Sequence, residues 1–147
     1  MGNFPNLPYL KDGNFVFTET LGIARYIVKR AGRNDLLGKN PKDEAIMDNF
    51  IYAFDDLFAP LIGMFFNKKV HDIKVGHYYK IQSNLERFDK FINGKEYILG
   101  YPTIADFFLA EYSHYIEKLY PLEFNKYKNI KLVRDNVEGL AEVKRYY

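Results

Sequence analysis

The chain has 147 residues, enough for one compact core with a short appendage, and its 48% hydrophobic and 18% aromatic content excludes a disordered polymer. Twenty-one Lys and Arg against 19 Asp and Glu leave a net charge of only +2, dispersed along the chain, so neither nucleic acid nor membrane is expected as a partner. Cysteine is absent, which excludes disulfides, thiolate metal sites and a cysteine nucleophile supplied by this chain.

The opening run Phe4-Pro5-Asn6-Leu7-Pro8-Tyr9-Leu10 holds two prolines, each without an amide donor and each restricting the residue before it, so helix is excluded there. Asp12-Gly13-Asn14 is a tight-turn signal between the apolar pieces Tyr9-Leu10 and Phe15-Val16-Phe17, which predicts a small hairpin. From about Thr20 the period changes. Thr20, Ile23, Ala24, Ile27 and Val28 keep helical spacing until Gly32 offers a stop. Arg33 to Pro41, rich in Gly, Asn and charge, reads as a linker, with Pro41 in the first turn of the next helix.

Everything beyond the linker reads as helix. Ile46, Phe50, Phe54, Leu57 and Leu61 form one apolar stripe, and Met47, Ile51, Phe58 and Ile62 a neighbouring one, so this helix needs cover on two sides. A second helix is marked by Ile81, Leu85, Phe88 and Ile92 and ends near Asn93-Gly94; a last one is marked by Ile130, Val133, Val137 and Leu140. Between them, Thr103 followed three residues later by Asp106 predicts a capping box, a hydroxyl and a carboxylate satisfying amides at a helix start. Ile104, Phe108, Tyr112 and Tyr115 are expected to sink that helix into the core. On these residues alone the segment is a folding element with no role in chemistry.

Two segments taken together resemble the cytosolic glutathione transferases of the mu and sigma classes. One is Phe4 to Leu10, then Asp12-Gly13, then Thr18-Glu19-Thr20 opening a helix; the other is Thr103-Ile104-Ala105-Asp106-Phe107. The resemblance extends to Val137-Glu138-Gly139-Leu140 and covers essentially the whole chain. It implies a mainly α fold. Residues 1–32 would be the C-terminal part of a thioredoxin-like glutathione-binding domain (β-hairpin plus helix), 33–41 a linker, and 42–147 the all-helical C-terminal domain. It also implies glutathione as substrate without a cofactor, a role in detoxification, a cytoplasmic location, and a homodimer or a place in a larger assembly.

The resemblance further implies a glutathione site made of Asn6, Leu7, Pro8, Glu19, Thr20 and Asp55. Leu7-Pro8 would be a cis-proline turn whose exposed Leu7 backbone pairs with the cysteinyl unit, whereas the residues alone describe an ordinary trans turn. Thr20 would bind the γ-glutamyl carboxylate at a helix N-terminus and Glu19 the adjacent ammonium. The mu pattern usually has Gln then Ser here, so Glu and Thr are departures, and helix capping alone also accounts for both. Asp55 matches an acidic residue that reaches the ammonium across a dimer, with Asp56 as the alternative. Phe4 resembles an aromatic key inserted into the partner subunit, and the doubly apolar helix gives a reason to expect an intersubunit surface.

The tyrosine that activates the thiol in mu-like enzymes lies on a strand expected to precede Met1, so no catalytic residue is assigned in this chain. Phe66 falls where mu enzymes often place a tyrosine in the electrophile pocket. The functions that follow are conjugation of glutathione to electrophiles, a non-catalytic relative serving protein association or structure, and a sigma-like glutathione-dependent isomerase. Metal chemistry is not expected, because His71, His77 and His114 lack ligand spacing, and no phosphate loop or G-x-S-x-G elbow occurs.

Overall fold

The computed structural model describes residues 4–65 and 70–146, without side chains at 61, 62, 64, 65 and 70–75. Phe66 and the His71 side chain therefore lie outside the described residues. Strands β1 (Tyr9–Asp12) and β2 (Phe15–Thr18) pair antiparallel, from Tyr9 opposite Thr18 to Asp12 opposite Phe15. Gly13 opens the two-residue loop with φ +59°, a conformation that costs glycine nothing. The hairpin is fastened to helix α1 (Thr20–Arg30) by Tyr26. Its ring meets Phe17 edge-on at 5.1 Å, and its hydroxyl donates to Asp12 Oδ2 at 2.6 Å. Thr18, buried at the end of β2, donates its hydroxyl to the Phe4 carbonyl at 2.7 Å and so ties down the proline-rich run.

The expected linker is itself structured. It contains a short 3-10 turn (Asn34–Leu37) whose Leu37 is 3% exposed, so it packs into the core. Helix α2 (Pro41–Phe65) starts at Pro41 as expected, under a cap from Asn40, whose Oδ1 accepts from the amides of Lys42 and Asp43 at 3.0 and 3.1 Å. The middle of its two apolar stripes is covered within the chain, while Ile46 near its start is exposed. Phe50 and Phe54 meet Phe88 of helix α3 (Val70–Ile92) at 4.8 and 4.9 Å, while Phe54 and Phe58 meet Tyr112 of helix α4 (Ile104–Leu119) at 5.8 and 3.9 Å. Phe50, Phe54 and Phe58 therefore find their cover on α3 and α4 of the same chain.

Helix α3 ends at Ile92, followed by Asn93 and Gly94 in left-handed conformations. After it, Thr103 and Asp106 form the predicted capping box, both fully buried. One oxygen of Asp106 accepts from the Thr103 amide at 2.7 Å and the Thr103 hydroxyl at 2.9 Å; the other accepts from the Ile98 amide at 2.7 Å. Burial pushes the Asp106 carboxyl above its ordinary value, opposed by these three hydrogen bonds.

The buried face of α4 differs from the expected one. Leu109, Ala110, Ser113 and Ile116 enter the core beside Ile104, while Phe108 and Tyr112 are half-buried on its flank and Tyr115 is exposed. The stretch from Ile104 to Ala110 is apolar nearly all round, so more than one stripe could have turned inward. Helix α6 (Lys128–Gly139) packs on α4, and its Ile130, Val133 and Val137 complete the core; Leu140 lies just beyond its end. Between α4 and α6 runs the short helix α5 (Pro121–Phe124), and a last turn, α7 (Ala141–Lys144), follows. Asp89 of α3 caps α6 by accepting from the amides of Asn129 and Ile130 at 2.8 and 3.1 Å. Among the described residues, no helix is long and apolar enough to cross a membrane.

Candidate functional site

A cleft of about 370 Å³ opens where the start of α1 faces the flanks of α2 and α4. Glu19, Thr20, Leu21, Gly22 and Arg25 form one wall, Ile51, Tyr52 and Asp55 a second, and Phe108 and Tyr112 the third. Three residues expected at a glutathione site, Glu19, Thr20 and Asp55, therefore meet in one cleft of a single chain. Asp56 is exposed and is not part of the lining.

Glu19 occupies the N-cap position of α1 but does not cap it, making no side-chain bond to the first turn. The first helical hydrogen bond runs from the Ile23 amide to the Glu19 carbonyl at 2.9 Å, so the amides of Thr20, Leu21 and Gly22 have no acceptor within the helix. These amides and the positive end of the helix dipole suit an anion. The Glu19 backbone sits at φ +76° and ψ +113°, a strained conformation for a side chain with a Cβ, costing on the order of 1–3 kcal/mol. Its carboxylate accepts instead from Asn6 Nδ2 at 3.1 Å.

Through that contact Asn6, Leu7 and Pro8 connect to the cleft, though none of them lines it. The Leu7-Pro8 bond is cis, as the resemblance implies. Leu7 is 75% exposed, and its amide is engaged by Asn6 Oδ1 at 2.9 Å. Phe4 is 79% exposed and is not part of the lining.

Leu21, Gly22, Arg25 and Tyr52 escaped the sequence reading, and Ile51, Phe108 and Tyr112 were read there only as core residues. Arg25 pairs with Asp48 of α2, so its charge is already matched. Tyr112 donates its hydroxyl to Asp55 Oδ1 at 3.1 Å. Burial first, then the Asp55 charge, pushes the Tyr112 hydroxyl above the ordinary tyrosine range, which keeps it a donor at neutral pH. Phe108 and Tyr112 were expected in the core, and only the rotation of α4 brings them to the cleft.

The cleft can thus hold a zwitterion, with free amides for a carboxylate and two acidic side chains for an ammonium. His77 and His114 stand elsewhere, His77 Nδ1 against the Tyr120 hydroxyl at 2.8 Å and His114 against Glu138 at 2.6 Å. Among the described residues no group of three or more His, Asp or Glu could hold a metal ion.

Residues 55–147 match the family model described as the glutathione S-transferase C-terminal domain. The chain belongs to the glutathione S-transferase family. It is 28% identical over 144 residues to a class-mu 26 kDa glutathione S-transferase isozyme of Schistosoma mansoni, covering 97% of this chain. It is 27% identical over 145 residues to a glutathione S-transferase of Dermatophagoides pteronyssinus, covering 98%. The chain spans 65% of the length of each of these relatives. Among solved structures, the glutathione S-transferase Blo t 8 has the same fold, with a TM-score of 0.82 at 22% identity over 98% of this chain and 68% of that one. The family match takes in Asp55, Phe108 and Tyr112, while Glu19 and Thr20 precede it and fall within the alignments to the two relatives.

Proposed function

We propose that the cleft holds the γ-glutamyl end of glutathione, in a protein that transfers glutathione to electrophiles. One observation carries this reading: Glu19 and Thr20 share the cleft with Asp55, although they come from separate segments of the chain. The γ-glutamyl carboxylate docks on the free amides and hydroxyl of Thr20 at the start of α1. Its ammonium lies between the carboxylates of Glu19 and Asp55. Arg25 does not compete for the ligand carboxylate because Asp48 already pairs with it. Asn6 braces Glu19, and the Leu7 carbonyl beyond it remains available to the rest of the peptide. The thiol and the group that activates it play no part in this assignment. We also place the Phe4 ring at a twofold interface between two copies of the chain, on the strength of its exposure.

The test is calorimetric titration of glutathione into the full chain, with cysteinylglycine, which lacks the γ-glutamyl unit, as control. Glutathione should bind and cysteinylglycine should not. Glu19→Gln should weaken glutathione binding by about ten- to a hundredfold, as expected for one charge-assisted hydrogen bond of roughly 1.5–3 kcal/mol. Equal binding of both peptides, or an unchanged affinity in Glu19→Gln, would reject the assignment.

A further inference from the structure

The two acidic residues of the cleft are held alike, and by neutral donors. Glu19 Oε1 accepts from the Asn6 amide, and Asp55 Oδ1 from the Tyr112 hydroxyl. Neither donor carries a charge, so each carboxylate keeps its own, and among the described residues each has a second oxygen without a hydrogen-bond partner. Arg25, the one cation on the lining among the described residues, is matched by Asp48. Among the described residues the lining thus offers two carboxylates that none of its cations pairs with, an arrangement that suits a cation between them.

Tyr112 has little freedom to move. Its ring lies flat on Phe58 with centroids 3.9 Å apart and 9° between planes, parallel to Phe54 at 5.8 Å, and edge-on to Phe108 at 5.9 Å. Phe58 and Asp55 stand three residues apart on α2 and are therefore neighbours on its surface. One side chain of α4 thus grips α2 by a ring and by a carboxylate at once. The hydroxyl is fixed in space, and it fixes Asp55.

We propose that Tyr112 is a positioning residue that aims the free oxygen of Asp55 at the ligand ammonium and so makes the cleft selective for an unblocked γ-glutamyl amino group. The proposal rests on the reading of the cleft as the γ-glutamyl site. Asp55 is exposed, and without the Tyr112 bond its carboxylate can turn to solvent and lose its direction. A ligand whose amino group is acetylated has no ammonium for Asp55 to meet, so the Tyr112 contact gives it nothing.

The experiment titrates glutathione and N-acetylglutathione into wild type, Tyr112→Phe, Asp55→Asn and the double variant. Tyr112→Phe keeps the aromatic stack and should weaken glutathione binding by about three- to tenfold, the range of a single hydrogen bond, while leaving N-acetylglutathione unchanged. Asp55→Asn should weaken glutathione at least as much, and adding Tyr112→Phe to it should cost little more. Equal losses for both ligands would mean that Tyr112 serves packing alone, and unchanged glutathione affinity in Tyr112→Phe would also overturn the proposal. Asp55→Asn does not touch the ring stack, so it decides the matter if Tyr112→Phe fails to fold: no loss of preference for glutathione over N-acetylglutathione overturns it. Wild type that binds neither ligand rejects the site as a whole. Wild type that binds glutathione, with Glu19→Gln weakened and both Tyr112→Phe and Asp55→Asn unaffected, overturns the role of Tyr112 and leaves the Glu19 site standing.

Discussion

Replacing Asp106 by Asn swaps a carboxylate for an isosteric amide at a fully buried position that faces three donors. Two of these are backbone amides, of Ile98 and Thr103, each 2.7 Å from a carboxylate oxygen; the third is the Thr103 hydroxyl. The Asn oxygen can serve one side, but its NH2 group must then point at a donor on the other. A buried donor left without an acceptor costs about 1–3 kcal/mol, so the variant should lose about 2–3 kcal/mol. Asp106→Ala, which strips both amides, should lose about 3–5 kcal/mol, a large part of the roughly 5–15 kcal/mol that holds a domain together. The opposing effect is relief from burying a charge, the same influence that raises the carboxyl. If that relief outweighed the lost acceptors, Asp106→Asn would be neutral or stabilising. Urea unfolding followed by far-ultraviolet circular dichroism decides, since the chain has no Trp to report. An Asp106→Asn variant within about 0.5 kcal/mol of wild type at pH 7 would refute the reasoning. The pH dependence gives a second check. A carboxyl raised above 3.8 in the folded state binds its proton more tightly there than in the unfolded chain. Its contribution is therefore fully present below 3.8 and declines as pH rises through the raised value, so the gap between wild type and Asp106→Asn should narrow from pH 4 to pH 7.

Burial, helped by the charge of Lys80, holds His77 below its ordinary 6.5, so its stability contribution is complete above 6.5 and is lost as pH falls towards the lowered value. Melting temperature measured from pH 7.5 to pH 5 should drop more steeply for wild type than for His77→Gln; parallel curves would count against this. Glu19→Gly relaxes a positive φ that Glu19→Ala keeps, and should be the more stable of the two by about 1 kcal/mol in urea unfolding, while both lose glutathione affinity alike. An alanine variant as stable as the glycine one would remove the case for strain. Phe4→Ala should weaken self-association in sedimentation, and unchanged sedimentation would reject Phe4 as an interface residue.

Much of the fold was legible because its signals are local. The Asp12-Gly13-Asn14 turn, the change of period at Thr20, Pro41 at a helix start, Asn93-Gly94 at a helix end and the Thr103-Asp106 box each act over a few residues, and each appears where expected. Helix faces were harder to read. α2 is apolar around much of its girth, and only the structure shows that Phe88 covers Phe50 while Tyr112 covers Phe58. Glu19 and Thr20 were expected at the glutathione site with helix capping as the alternative, and only the structure shows that Glu19 makes no side-chain cap and turns its carboxylate to Asn6.

The sequence by itself determined the hairpin, the long helices, their order and the residue types proposed for a γ-glutamyl site, because turns, caps and periodicity depend on near neighbours; the short turns Asn34–Leu37, Pro121–Phe124 and Ala141–Lys144 were not legible there. The tertiary structure decided which face of α4 turns inward, and with it that Tyr112 meets Asp55 and that Asp55 shares a cleft with Glu19. Those contacts join α1, α2 and α4 across long stretches of chain. They depend on how helices with several apolar stripes pack on one another, here α4 on α6 and Phe58 of α2 on Tyr112, which near neighbours in sequence do not fix.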